Sequence, residues 1–312
     1  MLKRALIIIL TIAGASLSSP LLAVDKTHDS LPTCSSPIDV NSGTDCVTTP
    51  EFYRLHVYEI GLCNGIDAIT KTTPRKVVDW KKNCVKTFDA GSSPVSVLVK
   101  NNVSEAIAGG TVIKPPNGTY THGYVLISGV IEIKGSVSLT DGGSNSFRGQ
   151  IPGGSSTGSG SVCWSSGNGI YAWGFAPKTN CGNSIDASTY EESIIRFQNI
   201  RGAGDCVGSD VNPSFHCNFY SSGDIAEGLD PTTAFLVDSS DNLSTIDSYG
   251  NGAGQVDKML GVATYTTPIV VSNSTSVLDV QFKVTRGLHV NYRFPNSIDI
   301  GLLEWKTTIR AQ

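Results

Sequence analysis

The chain has 312 residues, 39% of them hydrophobic and only 16% charged, with 33 Gly, 14 Pro and 8 Cys. That hydrophobic content supports a packed core and excludes wholesale disorder. The formal charge of −4 excludes a nucleic-acid binder of the usual basic kind, because neutralising phosphates takes clustered Lys and Arg.

Lys3 and Arg4 open the chain, an apolar run follows from Ala5 to Ala13, and Leu21-Leu22-Ala23 offers a cleavage site before Val24. A run this short cannot span about 30 Å of hydrocarbon as a helix. Its layout is that of an export signal over residues 1–23, leaving an N-terminal arm over residues 24–47. No later stretch approaches the length of a membrane helix, so the mature chain is expected to carry no transmembrane span. Loss of Lys3 and Arg4 takes the formal charge from −4 to −6.

All eight cysteines lie beyond this leader: Cys34, Cys46, Cys63, Cys84, Cys163, Cys181, Cys206 and Cys217. An even number in an exported chain reads as disulfides, although eight cysteines allow about 105 connectivities. Sequential local pairing gives Cys34–Cys46, Cys63–Cys84, Cys163–Cys181 and Cys206–Cys217. Each bridge would close a loop of about 12 to 22 residues, worth about 3 kcal/mol on the chain-entropy model. The sequence has no Cys-x-x-Cys and no paired His spacing, which argues against zinc.

The first strand of the body lies at Phe52 to Cys63, where Tyr53, Leu55 and Val57 share one face and Arg54, His56 and Tyr58 the other. Val95, Val97 and Val99 alternate likewise. Thr119 to Leu139 reads as two strands parted at Gly129, and residues 48–140 form the first part of a β-sandwich. From Asp141 to Ile170 there are nine Gly and eight Ser in thirty residues. Backbone this rich in glycine loses much entropy on ordering, so a long loop or arm is expected there. It begins a Cys-stapled insertion over residues 141–261. Ser188-Thr189-Tyr190-Glu191 fits a capping box and predicts a short helix. In the C-terminal part, 262–312, Leu278, Val280, Phe282 and Val284 alternate with Asp279, Gln281 and Lys283. Leu288, Val290, Tyr292 and Phe294 repeat the pattern, and Ile298 to Ile309 supplies a last strand. Alternation this regular places one face on a core and one in water. The fold class is therefore all-β, an antiparallel β-sandwich with a long Gly/Ser-rich, disulfide-stapled insertion.

Candidate chemistry is sparse. Gly154-Ser155-Ser156-Thr157-Gly158 matches Gly-x-Ser-x-Gly, but that chemistry needs the Ser on a strand-to-helix turn, and no such elements flank it. His28, His56, His122, His216 and His289 are scattered with no two at metal-ligand spacing, and His122 and His289, on predicted strands with apolar neighbours, suit hydrogen-bonded structural roles better than metal ligation. Asp238, Asp241, Asn242 and Asp247 form the densest oxygen cluster. They lack EF-hand spacing, so a weak calcium site competes there with a plain solvated turn. Trp164, Tyr171 and Trp173 crowd a Gly/Ser segment, where aromatics could stack on sugar faces or cover a local core. Glu191 and Glu192, adjacent in sequence, would point to opposite faces of a strand and so do not form a glycosidase pair. Sequons begin at Asn102, Asn117, Asn242 and Asn273. No cofactor is implied.

Three stretches, TTPEFYRLHVYEIGLC (Thr48 to Cys63), NGTYTHGYVLISGVIEIKG (Asn117 to Gly135) and SVLDVQFKVTRGLHV (Ser276 to Val290), resemble a group of uncharacterised secreted bacterial β-sandwich proteins. The Gly-Thr-Tyr-Thr-His piece is similar to transthyretin-like or immunoglobulin-like sandwich domains. The resemblance implies one sandwich closed by its first and last strands around a variable middle, and it carries no catalytic residues. The expectation is a non-enzymatic, secreted or cell-surface structural protein, with the periplasm as another location. It would pair with itself through an edge strand at Ile298 to Ile309. A carbohydrate-binding module using surface glycans is the alternative.

Overall fold

Strands dominate because apolar residues alternate with polar ones over most of the chain and β-branched residues fill the inward positions. The computed structural model describes residues 7–10, 31–39, 45–66, 80–100, 105–140, 147–151, 155–167, 178–196, 206–207, 216–217, 232–241, 257–293, 297–302 and 306–312. In chain order the strands are β1 (Ile7–Leu10), β2 (Ile38–Asp39), β3 (Cys46–Thr48), β4 (Phe52–Cys63), β5 (Cys84–Asp89) and β6 (Val95–Val99). Next come β7 (Glu105–Ala106), β8 (Thr111–Val112), β9 (Gly118–Ser128), β10 (Val130–Lys134), β11 (Ser136–Thr140) and β12 (Phe147–Ile151). They are followed by β13 (Ser155–Gly160), β14 (Val162–Ser165), β15 (Thr179–Gly182), β16 (Ser193–Arg196), β17 (Cys206–Val207) and β18 (His216–Cys217). The last are β19 (Thr232–Val237), β20 (Lys258–Val271), β21 (Val277–Lys283), β22 (Leu288–Arg293), β23 (Ser297–Leu302) and β24 (Lys306–Ala311). The described residues contain no helix.

One sheet runs β16-β10-β4-β9-β20-β19, with β5 and β6 also on β4 and β8 on β5. A second runs β2-β11-β14-β15-β13-β12-β23-β22-β3, and a third is β24-β21-β1-β7. Strand β4 organises the first sheet. Its residues 53–57 and 59–63 pair with β6 and β5, while residues 52–54 and 57–63 pair with β10 and β9. Tyr53, Leu55 and Val57 are wholly buried, as their alternation predicts. They join Leu278, Val280, Phe282 and Ile309 of the third sheet and Val137, Leu139, Leu288, Val290 and Ile300 of the second in one hydrophobic cluster. The sheets therefore share a core, as in a sandwich. Each fully buried Leu, Ile or Phe contributes about 1.5–3 kcal/mol to it. Trp80, Tyr124, Leu126, Val237 and Leu260 form a smaller cluster.

Gly129 parts β9 from β10 as expected, and its N–H donates to the Asp257 carbonyl over 2.7 Å. Gly135 alone separates β10 in the first sheet from β11 in the second. A Cβ there would lie 2.9 Å from the Leu288 side chain, so a larger residue at the crossing would force that side chain to shift.

Three expectations are corrected. The Gly/Ser segment contains β12, β13 and β14 within the second sheet rather than loop alone. At Gly158 (φ 62°) a Cβ would meet the Cys181 carbonyl oxygen at 2.2 Å, so here glycine serves a close backbone approach between β13 and β15. The capping-box helix is a single turn leading into β16. Asp186, not Ser188, organises it, its carboxylate accepting from the Ser188 N–H at 2.9 Å and its carbonyl from the Tyr190 N–H at 2.9 Å. The last strand is two, because β23 pairs with β22 and β12 while β24 pairs with β21. The β21–β24 and β22–β23 pairs are thus nested in chain order but lie in different sheets, and the buried Tyr53 hydroxyl donates to the Gly287 carbonyl in the connection 284–287 between β21 and β22.

Disulfides join Cys34–Cys46, Cys63–Cys84 and Cys163–Cys181. Cys206 and Cys217 are backbone partners in the β17–β18 pair. Within the segment read above as an export signal, Ile7–Leu10 forms a strand of the third sheet, and the rest of residues 1–23 lies outside the described residues.

Candidate functional site

The outward positions of β4 and β10 bring four titratable groups together. Arg54 and Glu132 are cross-strand partners, and Glu192 reaches them from the residue before β16. Arg54 Nε lies 2.7 Å from Glu132 Oε2 and 3.0 Å from Glu192 Oε2, and Arg54 Nη2 lies 2.5 Å from Glu192 Oε1. Such a fork on a carboxylate fixes geometry as well as charge. His56 Nε2 is 3.3 Å from Glu132 Oε1. The two carboxyls are driven apart. The Arg54 hydrogen bond holds Glu192 down at about 2, whereas burial above all, helped by Glu192, raises Glu132.

A pair split in this way can act as acid and base where a substrate reaches it. Here the guanidinium saturates the ionised partner. The signs oppose one another with pH. Glu192 contributes stability above its ordinary 4.5 and loses it as pH falls toward 2, while Glu132 contributes below 4.5 and loses it as pH rises through its raised value. Arg54→Met is therefore expected to move the Glu192 titration from about 2 upward toward 4.5, read by carboxyl-carbon NMR. An unmoved Glu192 would show that Arg54 is not the cause.

A second network lies around Glu59 and Asp241. Lys86 Nζ is 2.8 Å and Lys81 Nζ 3.4 Å from Glu59 Oε1, and the Tyr124 hydroxyl donates to Glu59 Oε2 over 3.3 Å. Burial, together with Glu59, pushes the Tyr124 phenol well above its ordinary range. Asp241 takes Lys81 on Oδ2 and Lys258 on Oδ1, both at 2.6 Å, and its carbonyl accepts from Trp80 Nε1 at 2.9 Å. The two ammonium groups keep its carboxylate ionised below the usual range against the desolvation of burial. The calcium reading is thereby weakened, because both Asp241 oxygens already face cations. Asp238 caps its own turn through the Ser240 N–H at 2.8 Å. Asn242 and Asp247 lie outside the described residues.

Trp164 is only 3% exposed and donates from Nε1 to Thr189 Oγ1 over 3.2 Å. Its ring is committed to the interior beside the Cys163–Cys181 bridge, which removes it as a sugar platform; Tyr171 and Trp173 lie outside the described residues. Ser156 sits within strand β13, paired with Gln150, and not on a strand-to-helix turn, so the nucleophile geometry is absent. His122 Nδ1 is 2.8 Å from Thr121 Oγ1, and burial lowers its pKa. His289 Nε2 is 3.4 Å from Asp45 Oδ2. His216 lies in β18 and His28 outside the described residues. Glu191 is exposed while Glu192 faces Arg54, and both precede β16 rather than lying on a strand. Asn117 Nδ2 donates to Asn273 Oδ1 at 2.8 Å, bringing two sequons together. Asn102 and the sequon at Asn242 lie outside the described residues.

The remaining distinctive feature is main-chain. Gln312 and Val277 exchange both backbone bonds, Gln312 N to Val277 O at 2.9 Å and Val277 N to Gln312 O at 3.1 Å. In an antiparallel ladder such pairs alternate. The N–H and C=O groups of Ala311, Ile309 and Thr307 therefore point away from β21, along the outer edge of the third sheet. Among the described residues no helix is long and apolar enough to cross a membrane, which says nothing of strands. Comparison with protein-family models, curated proteins and solved structures returns no match.

Proposed function

We propose that the chain is an exported, non-enzymatic structural subunit of the cell surface or extracellular space that assembles by strand pairing at β24. The observation that carries this reading is the outward row of main-chain donors and acceptors at Thr307, Ile309 and Ala311, the kind of edge that accepts another strand. Three disulfides suit an oxidising compartment. The two charged networks are spent on internal pairing.

Thr307→Pro/Ala311→Pro removes two outward N–H groups without taking a ladder bond from β21. Protein recovered from an exporting host with residues 1–23 removed should form oligomers visible by electron microscopy and sedimentation, and the double proline variant should stay monomeric. A parent protein that remains strictly monomeric at high concentration overturns the proposal.

A further inference from the structure

The third sheet draws one of its two inner strands from the segment whose sequence is that of a leader. In β1, Ile7, Ile8, Ile9 and Leu10 run parallel to Val277, Leu278, Asp279 and Val280, while Ile9 and Leu10 pair with Ala106 and Glu105 of β7. The alternation set by the Val277–Gln312 pair turns the main-chain groups of Leu278 and Val280 toward β1. Both residues are wholly buried with β1 in place. Strand β7 has only β1 as its ladder partner among the described residues. Loss of β1 therefore removes β7 from the sheet as well and makes β21 an edge.

We infer that the leader strand is an intramolecular plug. While residues 1–23 remain, β1 covers Leu278 and Val280 and keeps the chain solitary; their removal opens this edge to the β24 edge of a second copy. This rests on the proposed assembly through β24 and supplies its other half. A sheet reduced to β24-β21 has two different open edges on one subunit. Pairing one with the other is heterologous and head-to-tail, so it propagates as an open filament rather than closing as a dimer. The strand offered has suitable length and pattern. β24 spans six residues and places Ile309, 3% exposed, on the core side beside Val280 of its own β21. Chain export thus sets the moment of assembly, since an unprocessed subunit carries its own blocking strand.

The test begins with the full chain. It should sediment as a 32.9 kDa monomer, with slow amide exchange at Leu278 and Val280. Fast exchange at these two amides overturns the inference without any variant. Ile8→Asp/Leu10→Asp in the full chain places charges at the register positions opposite Leu278 and Val280. This variant should assemble, and a synthetic peptide spanning Ala5 to Ala13 in molar excess should return it to monomer and restore slow exchange. Oxidation of the three bridges, read by thiol counting, confirms that the variant is folded; if it is not, the exchange result on the full chain decides. A folded variant that stays monomeric, or polymers indifferent to the peptide, overturns the plug. Polymers that respond to the peptide but persist with Thr307→Pro/Ala311→Pro overturn the β24 reading while leaving the plug in place.

Discussion

Phe282→Ala is expected to destabilise the protein by about 3–5 kcal/mol, read as a shift in the midpoint of chemical denaturation. Phe282 is wholly buried on β21 and belongs to the cluster that joins the third sheet to the other two. Truncation removes the ring from that cluster, and strands locked in ladders cannot collapse into the space left behind. The exposed Arg310 on neighbouring β24 is the control, where alanine should change stability by no more than about 0.5 kcal/mol. Similar losses at the two sites would mean that the third sheet is not packed on the shared core.

Cys63→Ala/Cys84→Ala should cost about 3 kcal/mol, because the bridge closes a separation of 21 residues and constrains the unfolded chain accordingly. Cys63 ends β4 opposite Cys84, which begins β5, so the bond also pins the end of the strand that organises the first sheet. Thermal unfolding of the variant against the parent checks the figure. An unchanged transition would show that the β4 ladders alone hold these residues together.

The faces of individual strands were legible in the chain, and their neighbours were not. Alternation at Tyr53, Leu55 and Val57 and again at Leu278, Val280 and Phe282 predicts burial directly, because a strand repeats every two residues. The same alternation puts Arg54 and Glu132 outward, but nothing local to either segment says that β4 and β10 pair in the register that joins them. Glu192 was harder still, since it enters from a residue preceding a short strand. The Gly/Ser segment misled for a definite reason. Composition reports the entropy lost on ordering glycine, not the close backbone approach at Gly158 that makes glycine necessary. Between Ile298 and Ile309 the apolar content reads as one run, while β23 and β24 lie in different sheets. Local cysteine pairing succeeded where it was tested because three bridges link neighbouring segments, two of them joining directly paired strands. The apolar run from Ala5 to Ala13 follows the pattern of an export signal, and its three successive isoleucines also suit the strand that Ile7–Leu10 forms.

Passage of the chain between sheets through Gly135 alone has a thermodynamic consequence. With no slack linker at this point, and with only residues 284–287 between β21 of the third sheet and β22 of the second, one layer cannot melt while the other keeps its order. Loss of either exposes the apolar face of its neighbour, so cooperativity is built into the connectivity, and the layers share a single heat-absorption event.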